Sequence, residues 1–548
     1  MHYEFQAPIT LPSNVPFKNI KGLNEWLDNL TTLQSSEKCL EILSVLQVLK
    51  KNKIPNKAHL NALEKINIHL VHSVKHFDAQ FWETKFPLQY DQFSKLETVV
   101  WVYAELSRNY QQLAETHCAK KGFLTSKRDL AFLIYQALQA LSQVYLKISS
   151  CYAAPYPSFW VSLYQLYFLA EEHALLSTAI KIGGSGKKTV EQLFTTILLL
   201  NLSNTQQFRP RDLQQVFDFL EKYSHYAYFK TQLDSAETGR ARYFSAHQEL
   251  APQVVTDMQQ RVDQCRYFIF TETVKRIFAE RLLTQSDAEA LPAYNQSLFL
   301  RAYNSLAFNR TRRQTRIHKR RLGHGVIGIE NIVAFHLKNT PNSDSRSEVK
   351  SENIDSSVTL SASVNESEFV DLVAEEDLPI QIQERPESIT GHDIFAQENL
   401  TFTERRNSLR LEEFEILNST FKGYQILWNS RSEKVQIGNV FGMAVYESER
   451  SIEVGLVRHM SAAENSLIIG VEILGFESQV VYAARLSSPQ QKTPCLLLNG
   501  TSLLFSAKNF LPSDELYIFM NNEKLPCHLG ELLYSTPSVT HCELFFGQ

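Results

Sequence analysis

Two polar patterns in this sequence have residue types and spacing that could do chemistry, and both suit gripping a ligand. From Arg310 to Arg321 the chain reads RTRRQTRIHKRR, seven Lys or Arg in twelve positions. Further along, LNSTFKG sets Asn418, Thr420 and Gly423 in the frame N-x-T-x-x-G. Guanidinium groups fork onto phosphate oxygens and stack on planar rings. A short amide and a hydroxyl supply directed hydrogen bonds, and a glycine lets the backbone turn or approach closely. The basic run has three readings. As a solvated linker it needs no function. As a nucleic-acid patch it would neutralise phosphates without reading sequence, yet no aromatic platform is interleaved with it. As a small-ligand site it needs a second motif elsewhere, and N-x-T-x-x-G is one.

Other patterns carry less. GGSGKKT, Gly183 to Thr189, has the look of a phosphate loop. A P-loop, however, needs G-x-x-x-x-G-K followed directly by Ser or Thr, between a strand and a helix. Here Lys188 follows Lys187 and both flanks read as helical, so a helix–helix turn capped by Thr189 is expected. There is no G-x-S-x-G, H-E-x-x-H or C-x-x-C, and the sixteen histidines lack metal-ligand spacing. His318 and His324, near the arginines, are expected to face solvent. No active site assembles from these residues, so a non-enzymatic protein without a bound metal is expected.

The elements that must position these motifs differ between the two halves. The first half is helical in period: Leu23, Trp26, Leu27, Leu30; then Cys39, Ile42, Leu43, Leu46, Leu49. The clearest run passes from Leu130 through Leu133, Ile134, Ala137, Leu138, Leu141, Val144 and Tyr145 to Ile148, with Ser126 as N-cap and Asp129 three residues on. The next helix opens at Pro155 and Pro157 and puts Trp160, Leu163, Tyr164 and Tyr167 on one face. Short loops between such segments predict a bundle or an irregular α-solenoid. Beyond the arginines, VIGIENIVAFHL reads as a strand. Then EEFEIL, YQILWN, KVQIGNVFGMAVY, IEVGLVRHM, SLIIGVEILG, VVYAARL, TSLLFSA and ELYIFM read as short strands of an antiparallel barrel or sandwich.

A length of 548 residues predicts about three domains. The expected divisions are an N-terminal extension over 1–17, a helical domain over 18–230, a helical connecting region over 231–308 and a β-barrel domain over 309–548. The net charge of −4 hides opposed blocks. Residues 341–400 hold fourteen Asp or Glu against three basic residues, about −11, with many serines and few aromatics. Such composition cannot offset its ordering entropy, so a disordered insertion is expected there, either a passive spacer or an autoinhibitory loop that competes with an anionic ligand for the arginines. Seven cysteines (Cys39, Cys118, Cys151, Cys265, Cys495, Cys527, Cys542) are scattered, and they fit small core hydrophobes in a reduced, cytoplasmic compartment. MHYEFQAPITLPSNVPF has neither a basic start nor an apolar core, so no signal peptide is expected. The apolar stretches are too short to cross a bilayer.

In these two motifs the sequence resembles the PilZ family, whose signature is R-x-x-x-R ahead of the first barrel strand and [DN]-x-S-x-x-G at the end of a later one. Arg312 and Arg316 form one such frame, with Arg313 inside it, and Arg316 and Arg320 form another. Asn418, Thr420 (in place of serine) and Gly423 match the second element, and VGLVRHM…IIGVEILG follows it. The chain is also similar over most of its length to bacterial proteins that join a long helical N-terminal region to an atypical PilZ barrel. YQALQALSQVYL, PSFWVSLYQLYFLAEEHALL, TVEQLFTTILLLNLSN and the stretch from PCLLLNG to LYSTPSV carry that likeness. The resemblance implies a multidomain α plus β protein with a PilZ-like barrel that binds cyclic di-GMP through Arg312, Arg313, Arg316, Arg320, Asn418, Thr420 and Gly423. It further implies a receptor that signals to a protein partner through its helical region, with no cofactor beyond that ligand. The alternatives are a helical scaffold whose barrel has lost the ligand and, more weakly, an RNA-binding protein using the arginine run.

Overall fold

The computed structural model describes residues 5, 16–17, 20–49, 56–119, 126–182, 185–234, 237, 239–255, 264–284, 293–308, 317, 320–339, 411–430, 434–444, 452–463, 466–507, 509–511, 514–520 and 523–547. The acidic insertion over 341–400 lies outside them.

The N-terminal half is built on helices α1 (Ile20–Leu30), α2 (Ser35–Leu49), α3 (Asn56–Phe81), α4 (Tyr90–Ala119), α5 (Lys127–Ser150), α6 (Pro157–Glu172), α7 (Val190–Leu202) and α8 (Leu213–Tyr223). Helices α4 and α5 pack along each other at the centre. Helix α5 is apolar nearly all round, from Leu130 to Ile148, and is correspondingly buried. Its start is where the cap signal put it, with Ser126 Oγ accepting from Arg128 N at 3.2 Å. A partly buried ion pair, Lys147 Nζ to Asp78 Oδ1 at 2.5 Å, ties α5 to α3. Beside it, burial pushes the Cys39 thiol up to about 12. Among the cysteines only Cys118 is partly exposed and all seven are free, as expected of core hydrophobes.

The segment between the halves departs from expectation. Before its helices α9 (Thr271–Thr284) and α10 (Ala293–Ala307), strands β3 (Tyr228–Lys230), β4 (Arg242–Ser245), β5 (Gln253–Val254) and β6 (Cys265–Ile269) form a four-stranded antiparallel sheet. A wholly helical 231–308 is thereby corrected. Alternation in RYFS and CRYFI turns Phe244 and Phe268 inward, where Phe244 stacks on Tyr164 of α6 at 4.9 Å. Aromatic burial, with strand period, decides the element.

GGSGKKT is also resolved differently from a plain turn. A hairpin of β1 (Ile180–Ile182) and β2 (Ser185–Lys188) joins α6 to α7. Lys188 pairs with Glu221 at 2.7 Å, and Thr189 Oγ1 caps α7 by accepting from Gln192 N at 3.2 Å. Thr189 is a cap, as read, but the loop it follows is stranded.

The C-terminal half holds two closed six-stranded antiparallel barrels, where the sequence led us to expect one. Continuing the numbering after the four strands β3–β6 of the 228–269 sheet, the first contains β7 (Arg321–Ile327), β8 (Glu412–Thr420), β9 (Gly423–Trp428), β10 (Val440–Ala444), β11 (Glu453–Ala463) and β12 (Ser466–Gly475). The second contains β13 (Ser478–Arg485), β14 (Thr493–Leu498), β15 (Ser502–Ser506), β16 (Glu515–Met520), β17 (Glu523–Ser535) and β18 (Val539–Phe546). VIGIENIVAFHL is not one strand: β7 ends at Ile327, Gly328 takes φ +91, and helix α11 (Ile329–Asn339) follows. Ile329, Ile332, Val333 and Phe335 then pack against Val440 and Val454 of the first barrel and Leu496 and Leu504 of the second. The helix is the shared wall between the barrels.

The first barrel also shares a core with the helical half, in which Trp428, Phe441 and Met460 join the helical residues. Arg209, 5% exposed, donates from Nε to Ile437 O at 2.7 Å. Ala462 N donates to Tyr152 O at 3.1 Å, and Lys434 Nζ to Trp82 O at 2.9 Å. No helix of the described residues is long and apolar enough to cross a membrane.

Candidate functional site

The second sequence motif forms the β8–β9 hairpin of the first barrel. Its two-residue turn, Phe421-Lys422, sets Thr420 opposite Gly423, Ser419 opposite Tyr424 and Asn418 opposite Gln425. A bulge between Ile416 and Asn418 shifts the register just before the motif, a common way of re-aiming side chains at a site. Asn418 is buried, and its Nδ2 donates to Gln425 Oε1 at 2.6 Å. An amide has two N–H donors and a carbonyl acceptor, so this contact orients Asn418 while using one donor. Thr420 Oγ1 donates to Gly423 O at 3.3 Å, which closes the turn.

Gly423 is required for its lack of a side chain. A Cβ there would stand 2.1 Å from Val471 O on β12, inside any allowed contact. Strand β9 thus lies flush on β12, pairing Gly423 with Glu472 and Tyr424 with Val471.

Ile317, within the arginine segment of the sequence, reaches this hairpin directly. Ile317 and Ser419 form an antiparallel bridge, with Ile317 N donating to Ser419 O at 3.0 Å and Ser419 N to Ile317 O at 3.1 Å. Arg320, just ahead of β7, lies with its Nη1 3.4 Å from Glu415 Oε1 of β8, and its side chain is 79% exposed. A surface pair of this kind contributes about 0–1 kcal/mol, so it leaves the guanidinium free to change partner. Arg312, Arg313, Arg316 and His318 lie outside the described residues. His324 is exposed on β7, as read.

Of the seven candidate residues, Arg320, Asn418, Thr420 and Gly423 are described, and all four belong to β8, β9 or the residue ahead of β7. The sequence reading missed Gln425, Glu415 and Ile317. Gln425 was within reach, because a two-residue turn at Phe421-Lys422 puts it opposite Asn418 by counting. The partners of Arg320 and Ile317 depend on the β7–β8 register, which has the long insertion between its strands. Among the described residues, no group of three or more His, Cys, Asp or Glu could hold a metal ion.

An amide, a hydroxyl and an exposed guanidinium on neighbouring elements of one barrel can bind and orient an anionic, hydrogen-bonding ligand. The fold that carries these groups is a six-stranded barrel joined to a helical domain. The helical domain has its own match: residues 21–234 fit a family model described as the N-terminal domain of the cyclic-di-GMP receptor FimW. That part of the chain, well under half of it, is therefore similar to the N-terminal domain of that receptor, in line with the resemblance noted in the sequence. No curated protein and no solved structure matches the chain.

Proposed function

We propose that this protein is a cyclic di-GMP receptor whose first barrel, a PilZ-like module, holds the ligand between the arginine segment and the β8–β9 hairpin. The observation that carries the reading is the Ile317–Ser419 bridge, which brings the residue after Arg316 against the residue after Asn418. The family match of the helical domain supports the same ligand. Cyclic di-GMP offers two phosphodiester anions and two guanines. Arg316, with Arg312 and Arg313 or with Arg320, would fork onto phosphate oxygens or onto guanine O6 and N7. Asn418 and Thr420 would hydrogen-bond a guanine edge, and Gly423 keeps the hairpin flat against β12. The role is non-enzymatic and cytoplasmic. The signal passes to a protein partner through the helical domain, whose core is continuous with that of the first barrel.

Replacing Thr420 or Asn418 with Ala separates this reading from RNA binding by the arginine run. Neither change removes positive charge, so a purely electrostatic RNA contact should hold. A specific guanine contact should lose about 1–3 kcal/mol. Retained RNA affinity with lost cyclic di-GMP binding supports the receptor, and the reverse pattern refutes it.

A further inference from the structure

The turn at the tip of the hairpin has unusual chemistry. Two-residue hairpin turns favour Asn, Asp and Gly, but this one is Phe421-Lys422. Phe421 is 73% exposed, and Phe476, from the turn between β12 and β13, is 44% exposed. Their ring centroids are 5.9 Å apart at 44°. The hairpin turn is tied to the end of β12, three residues before Phe476, since Ile473 N donates to Lys422 O at 2.9 Å. The turn carrying Phe476 is held on its other side by Asn499 N, which donates to Glu477 O at 3.0 Å. So the second barrel positions one ring and the candidate ligand hairpin the other. Large aromatic side chains are ordinarily placed where they bury area, and this pair stands in water beside Thr420.

We propose that Phe421 and Phe476 are the base-stacking platform of the candidate site, with one guanine of the ligand lying on the open face of Phe421. The inference rests on the receptor reading above and adds to it the residues that recognise the purine plane. Charge favours a nucleotide as the occupant. Lys422 is exposed in the same turn, and Ile317, which lies within the basic run of the sequence, bridges Ser419, two positions from Phe421. An aromatic face flanked by cations is the surface that holds stacked bases with their phosphates. Thr420, Phe421 and Lys422 would thus present hydroxyl, ring and ammonium in sequence to edge, plane and phosphate.

The test uses the full chain, calorimetry with cyclic di-GMP, and three variants: Phe421→Ala, Phe476→Ala and Phe421→Trp. Phe421→Ala should weaken binding about tenfold or more, and Phe476→Ala by a smaller factor. No charge is removed, so the salt dependence of both should match that of wild type. Phe421→Trp should bind at least as tightly as wild type, and the emission of the added indole should be quenched by ligand. That signature does not depend on Phe421→Ala folding. Wild-type binding with unchanged affinity in Phe421→Ala, or with no quenching in Phe421→Trp, overturns the platform and leaves the receptor reading standing. No binding by wild type overturns the receptor reading and the platform with it.

Discussion

Ile317 and Ser419 exchange both of their backbone hydrogen bonds, at 3.0 and 3.1 Å. The pair joins two segments that the long acidic insertion separates in sequence, and it puts Ile317, the residue after Arg316, on the hairpin carrying Asn418 and Thr420. Everything claimed for the first barrel as a ligand module depends on that juncture.

Removing the donor from the juncture should therefore uncouple the arginines. Ile317→Pro deletes the N–H that Ser419 accepts, and Ile317→Ala keeps it. The proline variant should bind cyclic di-GMP at least tenfold more weakly, with a melting midpoint within about 3 °C of wild type. The alanine variant should bind as wild type does. Equal affinity in both variants would show that the arginine segment needs no anchoring.

Gly423→Ala should be costly for a different reason. The added methyl meets backbone, Val471 O at 2.1 Å, and cannot be relieved by a side-chain rotation. Separating β9 from β12 should destabilise the barrel by about 1–3 kcal/mol, read as a lower urea midpoint. An unchanged midpoint would mean that the hairpin does not lie flush on β12.

Arg209 links the halves. Its Nε donates to Ile437 O at 2.7 Å in a buried setting, so Arg209→Ala should cost about 1.5–3 kcal/mol. Amide exchange should accelerate selectively around residues 434–440. Acceleration spread evenly over the chain would argue against a local coupling contact.

The second barrel should lose stability in acid. His541 is buried, its Nε2 2.8 Å from Ser502 Oγ, and burial, helped by the Arg458 guanidinium, holds its imidazole down at about 4. Arg458 itself is paired with Glu472 and lies over the Tyr534 ring at 4.3 Å. In the unfolded chain the histidine titrates near its ordinary value of about 6.5. Between those values the unfolded state binds the extra proton, so the contribution is complete above about pH 6.5 and is lost as pH falls towards 4. The loss is on the order of 3 kcal/mol. Thermal melts from pH 7 to 4.5 should show a smaller decline for His541→Gln than for wild type; parallel declines would remove His541 from the account.

Much of this architecture was legible because local pattern and tertiary demand agreed. Helix α5 shows apolar period, cap and length together, and Ser126 caps it. Eight strands of the barrels are visible as short apolar runs, while β14 (PCLLLNG) is not read as one. Strands β17 and β18 are not read either, because Pro526 and Gly530 interrupt the first and VTHCELFF mixes its faces. Without those strands one barrel looked sufficient. Just ahead of α11, Gly328 separates two apolar stretches that read as a single strand, and the packing of Ile329, Ile332 and Val333 between the barrels selects a helix. At the site, residue types were readable, but the register that brings Ile317 to Ser419 was not, because no local pattern spans the insertion.

The central claim is tested most directly by calorimetric titration of cyclic di-GMP into the full chain. The expected result is about one ligand unit per first barrel, with low-micromolar affinity or better, about −8 kcal/mol, most of it lost when Arg316 and Arg320 are both changed to Ala. No heat and no thermal shift at saturating ligand would contradict it and leave a helical scaffold with a ligand-free barrel.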